Sequence, residues 1–242
     1  GSGSSNTTGS INTTATSANV DAGFSIVSYT GDGNSSATFG HGLSSTPEMF
    51  IVKSRTNAQN WMVWHKDLGG NDKFILLEGT GAVATSTVPW ANTAPTSSLI
   101  YVGEAGGWGT NESSENFIAY CFHSVDGYSK VGSYNGNGDA DGTFAYTGFR
   151  PAFIMIKQTD AVDDWGIYDN KRVNGFNEDG SAGNAVLYPN ATGAEEAQAS
   201  RAIDILSNGF KLRTSNPTFN ESPDPYIYIA FAETPFKYSN AR

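Results

Sequence analysis

The chain repeats itself. GFSIVSYTGDG at 23–33 returns as GYSKVGSYNGNG at 127–138, with one residue inserted. PEMFIVK at 47–53 returns as PAFIMIK at 151–157. Trp61-Met62-Val63-Trp64 returns as Trp165-Gly166-Ile167-Tyr168, and FIAYCF at 117–122 as YIYIAF at 226–231. The four blocks keep their order at an offset of roughly 105 residues, far longer than a solenoid period. This pattern predicts a duplicated domain. Its units are 23–125 and 127–242, the second including a C-terminal tail, behind a polar N-terminal arm at 1–22.

The repeated blocks read as strands. Aromatic and β-branched residues run into Gly31-Asp32-Gly33 and Gly136-Asn137-Gly138, and Asp/Asn-Gly pairs supply the positive φ of tight hairpin turns. Pro47 and Pro151 precede apolar runs, and a residue without an N–H suits a strand start. FIAYCF and YIYIAF are apolar at successive positions, the mark of a strand covered on both faces. The expectation is an all-β protein of two homologous β-sandwich units, with a short helix over 194–206. The alternative is one lectin-like sandwich built from both repeats.

Composition excludes several classes. Charged residues make up 16% of the chain and 30 residues are Phe, Tyr or Trp, which is not a disordered composition. The net charge is −10 and no Lys/Arg cluster displaces phosphate counterions, so no nucleic-acid partner is expected. No apolar stretch reaches the ~18–20 residues that span a bilayer, and the start lacks a basic and apolar leader. Neither membrane insertion nor a signal peptide is expected. Cys121 is the one cysteine and reads as a buried small hydrophobe.

Residues 1–22 carry almost no charge and few aliphatic side chains, so they cannot build a core. Ordering such an arm requires ladder hydrogen bonds at an unsatisfied strand edge. The edge of a neighbouring copy is the expected partner, with an edge of the chain's own as the alternative.

Taken in order, several motifs resemble a known domain. They are GFSIVSYTG (23–31), HGL (41–43), WMVWHK (61–66), TAPTSS (93–98), IAYCF (118–122), GYSK (127–130), YTGFRPAF (146–153), LSNGFKLR (206–213) and AFAE (230–233). The series is similar to a domain of uncharacterised function in bacteriophage proteins, especially of marine phages, found among virion structural and tail-fibre or appendage proteins. The resemblance implies a structural component of the virion surface. Such a component self-assembles as a homo-oligomer (a trimer is favoured) or with other virion proteins, and it adheres to host-surface glycans. A capsid decoration protein is the alternative. A glycan-degrading enzyme is a third reading. The resemblance brings no catalytic residue and no cofactor.

Candidate sites follow from aromatic placement. Strand alternation puts Trp61 and Val63 on one face and Trp64 on the other, so Trp64 and its counterpart Tyr168 are expected to point outward. Trp90 and Trp108 have no counterpart in the second repeat, which makes them candidates for stacking on a sugar. Asn137, Asp139 and Asp141, followed by Gly142, match the first half of a calcium loop. Gly148 stands where a bidentate Glu is needed, so a solvated hairpin turn is the preferred reading and no metal is expected. HEXXH, GXSXG and phosphate-loop motifs are absent, and Asp163-Asp164 and Glu195-Glu196 are adjacent charges rather than a cleft pair. The sequence therefore predicts no enzyme.

Overall fold

The structure, a computed structural model, describes residues 3–104, 109–172, 185–197 and 199–234. It is all-β and divides into two compact units, Gly1–Leu77 with Val83–His123, and Glu78–Ala82 with Ser124–Arg242.

The first unit contains β1 (Ala15–Asn19), β2 (Phe24–Thr30), β3 (Ala37–Gly40), β4 (Met49–Ser54), β5 (Trp61–His65), β6 (Lys73–Leu76), β7 (Ala84–Thr85), β8 (Leu99–Val102) and β9 (Asn116–Phe122). One antiparallel sheet runs β1-β2-β9-β4-β5-β6-β7, and β3-β8 forms a second layer. Val27, Tyr29, Phe50, Val52, Trp64 and Phe117 on the large sheet share a core with Phe39, Ile100 and Val102 of the small one.

The second unit contains β10 (Ser129–Asn135), β11 (Phe144–Tyr146), β12 (Pro151–Gln158), β13 (Trp165–Asp169), β14 (Ala185–Val186), β15 (Glu196–Ala197), β16 (Ile203–Leu206), β17 (Gly209–Leu212) and β18 (Pro225–Ala232), with one helical turn, α1 (Pro217–Asn220). Its main sheet runs β10-β18-β12-β13, the same order as β2-β9-β4-β5. Its second layer is β11-β17-β16, and β14 pairs with β15. The cross-strand pairs correspond too: Phe50 opposite Trp64 and Lys53 opposite Trp61 in one unit, Ile154 opposite Tyr168 and Lys157 opposite Trp165 in the other. Each unit has its own core, the arrangement of two sandwiches rather than one shared between the repeats.

The glycine turns at 31–33 and 136–138 do not close the hairpins expected of them; they carry the chain from the main sheet to the second layer, and the two are fastened alike. Fully buried Asn111 accepts from Asp32 N and donates to Asp32 and to Asn34 O. Fully buried Asn220 accepts from Asn137 N and donates to Asn137 Oδ1, Asp139 O and Thr214 O. The residue before each asparagine accepts a tyrosine hydroxyl through its carbonyl: Tyr29 to Thr110 O at 2.5 Å, Tyr134 to Phe219 O at 2.8 Å. A Cβ on Gly31 or Gly136 would stand 2.2 or 2.1 Å from the carbonyl oxygen of Glu112 or Glu221, so this close approach requires glycine.

Two further expectations are corrected here. The helix over 194–206 is reduced to one 3-10 turn, Ala199–Arg201, with strand on either side. Ile203 and Ile205 enter the core at period two, and that burial outweighs the helix preference of the Ala/Glu run before them. The N-terminal segment takes its partner edge from its own chain. β1 pairs with β2 from Ala15 opposite Ser28 to Asn19 opposite Phe24. Further upstream, Ile11 N donates to Thr38 O at 2.9 Å and Ile11 is buried in the first core. The polar segment thus supplies both an edge strand and a core side chain.

Candidate functional site

The aromatic candidates are mostly core. Trp64 stacks on Phe50 at 5.1 Å and is 6% exposed; Tyr168 is 2% exposed, and its hydroxyl donates to Arg201 O. The outward placement of both is thereby corrected. Successive apolar residues on β5 left the choice of face open, and the Trp64 face is the one that meets the β3-β8 layer. Trp90 is fully buried, edge-on to Phe50 at 4.9 Å, with its indole N–H donating to Lys73 O. It plugs the first core instead of presenting a ring. Trp108 lies outside the described residues. Trp165 is buried, whereas its counterpart Trp61 is half-buried and stacked on Tyr120.

The calcium-loop oxygens are engaged in the turn. Asn137 Oδ1 accepts from Asp139 N and from Asn220, and Asp139 Oδ1 accepts from Asp141 N. Asp141 faces Lys211 at 3.2 Å and Arg213 at 2.5 Å, and the Lys211 hydrogen bond leads in holding its carboxyl below the usual range. Among the described residues no group of three or more His, Cys, Asp or Glu is placed to hold a metal ion.

A solvent-open site lies elsewhere in the second unit. β11 alternates strictly: Ala145 enters the core while Phe144 and Tyr146 face out, 41% and 64% exposed. Tyr146 stands opposite Gly209 and Phe144 opposite Lys211, which in turn faces Asp204 of β16. A Cβ on Gly209 would lie 2.9 Å from the Phe144 ring, so glycine is what lets that ring lie against the sheet. The result is an exposed aromatic ledge bordered by the ion pairs of Asp141, Asp204, Lys211 and Arg213.

Beyond Tyr146 the ledge drops into a polar cleft of about 320 Å³. Ser124, Asp126 and Lys130 line one wall, Tyr146 and Thr147 the other. Both walls are fixed by backbone. Ser124 Oγ accepts from Val131 N and Ser129 Oγ from Val125 N, which hold the 124–129 turn against β10. Thr147 N donates to Asn208 O, and its hydroxyl to Phe149 O at 2.6 Å. The cleft is therefore lined by hydroxyls, one carboxylate and one ammonium beside an exposed ring.

The corresponding face of the first unit is closed. Aligned on Gly42 and Gly148, with φ of +74° and +86°, Thr38 and Gly40 stand where the second unit has Phe144 and Tyr146. There Ser10 N donates to Thr38 Oγ1, and the Asn6 carboxamide occupies the space a Cβ on Gly40 would need, 2.6 Å away. The N-terminal segment covers this face in one unit, and the other unit carries exposed rings instead. Sequence reasoning missed Phe144 and Tyr146. The available signal was the aromatic–small–aromatic triplet Phe144-Ala145-Tyr146, a strand with one apolar outer face.

Residues 1–235 match the family model described as a domain of unknown function (DUF7483). No curated protein and no solved structure matches the chain.

Proposed function

The chain belongs to the DUF7483 family, and from that premise we propose that it is a non-catalytic structural component of a phage virion surface, a fibre or appendage protein. In this reading it assembles with copies of itself or other virion proteins, and its second unit makes the outward contact. One observation carries the contact role: Tyr146 and Phe144 stand exposed on a backbone-fixed ledge beside a polar cleft, while the equivalent face of the first unit is sealed. Paired sandwiches with matching strand order and register support a duplicated origin, and duplication frees one copy to diverge as a contact module. The virion placement is supported by the ordered motifs that span the chain.

Two measurements test the proposal. Mass spectrometry of purified particles from a phage encoding the chain is expected to find it as a stoichiometric component. Native mass spectrometry of the purified protein is expected to find a homo-oligomer, with a trimer favoured. Absence from particles together with a monomer at all concentrations overturns the reading.

A further inference from the structure

We infer that the ledge and cleft of the second unit form a binding site for a linear oligosaccharide. The inference rests on reading this face as the contact surface, and it names the ligand class. Three observations lead to it. First, Phe144 and Tyr146 are two residues apart on one strand, so their Cα atoms sit about 7 Å apart and both side chains leave the same face. One sugar ring does not cover both, but consecutive rings of a chain do. Flat apolar surface with a polar rim is what the C–H face and hydroxyl edge of a pyranose require.

Second, the cleft that continues the ledge has a volume of about 320 Å³, at the small end of ligand sites, and its lining is polar. It holds one terminal sugar ring beside Lys130 and Thr147, with Tyr146 as a shared wall. Hydrogen bonds to those groups fix orientation, and stacking on the rings supplies contact area. Third, the equivalent face of the first unit shows what such a surface accepts. It holds the hydroxyl of Ser10, which accepts from Thr38 N, and the carboxamide of Asn6, the functional groups of a sugar and an N-acetylated sugar. In the second unit Thr38 and Gly40 are replaced by rings, which exchanges a snug polypeptide seat for an aromatic platform.

The site as described spans about three sugar rings: one in the cleft, one on Tyr146 and one on Phe144. Affinity is therefore expected to rise with chain length to about the trisaccharide and then level off. The test is calorimetric titration of the full chain with gluco-, xylo-, manno- and chito-oligosaccharides of increasing length. Tyr146→Ala and Phe144→Ala are run beside the parent, with melting temperature as the folding control. Both side chains are exposed, so neither substitution is expected to shift the melting temperature appreciably.

In at least one series, Tyr146→Ala is expected to lower affinity at every length by at least about tenfold. Phe144→Ala is expected to lower it for trisaccharides and not for monosaccharides. No binding in any series, binding independent of length, or binding unchanged in Tyr146→Ala overturns the inference. So does a result in which the two variants change the mass of the assembly without changing sugar binding, which makes the ledge a contact between copies. Particle composition tests the virion reading separately, so either can fail while the other stands.

Discussion

Replacing Asn220 by Ala is expected to cost more than the same change at its counterpart Asn111, and the difference can be worked from who loses a partner. Both side chains are fully buried. Asn111 bonds only to Asp32 and Asn34, both exposed, so water takes over the broken bonds. The cost there is three hydrogen bonds whose partners water can take over, one of them to the Asp32 carboxylate, about 1–3 kcal/mol. Asn220 bonds to exposed Asn137 and Asp139, but also to the carbonyl of Thr214, a residue 5% exposed. Stripping that buried acceptor adds its desolvation penalty, about 1–3 kcal/mol, for a total of about 2–6 kcal/mol. Hydrogen exchange read by mass spectrometry measures the two units separately in one sample. Asn220→Ala is expected to lower protection in β10, β17 and β18 while leaving the first unit unchanged. Equal costs for the two substitutions would refute the reasoning that solvent access to the orphaned partners sets the magnitude.

Ile11→Ala is expected to destabilise the first unit by about 2–4 kcal/mol, as for a buried aliphatic truncation, and deleting residues 3–19 to unfold it, both read by the same exchange experiment. A deletion that leaves exchange in β2 and β3 untouched contradicts the role given to the segment. His41 is fully buried; its Nδ1 accepts from Leu43 N and its Nε2 meets Thr96 O, and burial holds its pKa below the ordinary 6.5. The unfolded chain then binds a proton that the folded chain refuses, so stability is expected to fall as pH drops below about 6.5 toward the folded value. His41→Asn is expected to flatten that slope in urea titrations at pH 5 and 7, and an unchanged slope assigns the proton elsewhere. Burial pushes the Cys121 thiol up to about 12, so iodoacetamide is expected to leave it unmodified until denaturant opens the first unit, and rapid labelling of the native chain contradicts its placement.

The repeated blocks made the ladders legible. Proline-led apolar runs, glycine-bounded aromatic strands and the Trp61/Trp165 correspondence all became β4/β12, β2/β10 and β5/β13 in equivalent register. Inside and outside were not legible for Trp64 and Tyr168. Alternation tells which residues share a face, and where both faces are apolar only the second layer decides which is core. The N-terminal segment misled for a different reason. Its composition correctly excluded a core of its own, but one aliphatic side chain, Ile11, suffices when the neighbouring sheet leaves room for it. In the second unit Tyr228 lies over Gly132, where a Cβ would come 2.7 Å from its hydroxyl, and that hydroxyl donates to Tyr146 O. The candidate site stayed hidden because an exposed strand face of three residues carries too little pattern to stand out from a core strand.

In each unit, the strand made last is the strand in the middle. β9 lies between β2 and β4, and β18 between β10 and β12. On the ribosome, the main sheet of the first unit therefore emerges as two halves with no ladder between them until residues 116–122 are free, held only through the β3-β8 layer, and that of the second waits in the same way for 225–232. Before that point, unpaired β2 and β4 expose edges that invite other chains. A nascent chain halted just short of β9 or β18 should consequently be a better chaperone client and a worse folder than one a dozen residues longer. Splitting the gene between β8 and β9 should leave the second unit folded on its own fragment and the first unit folded only when the two fragments meet.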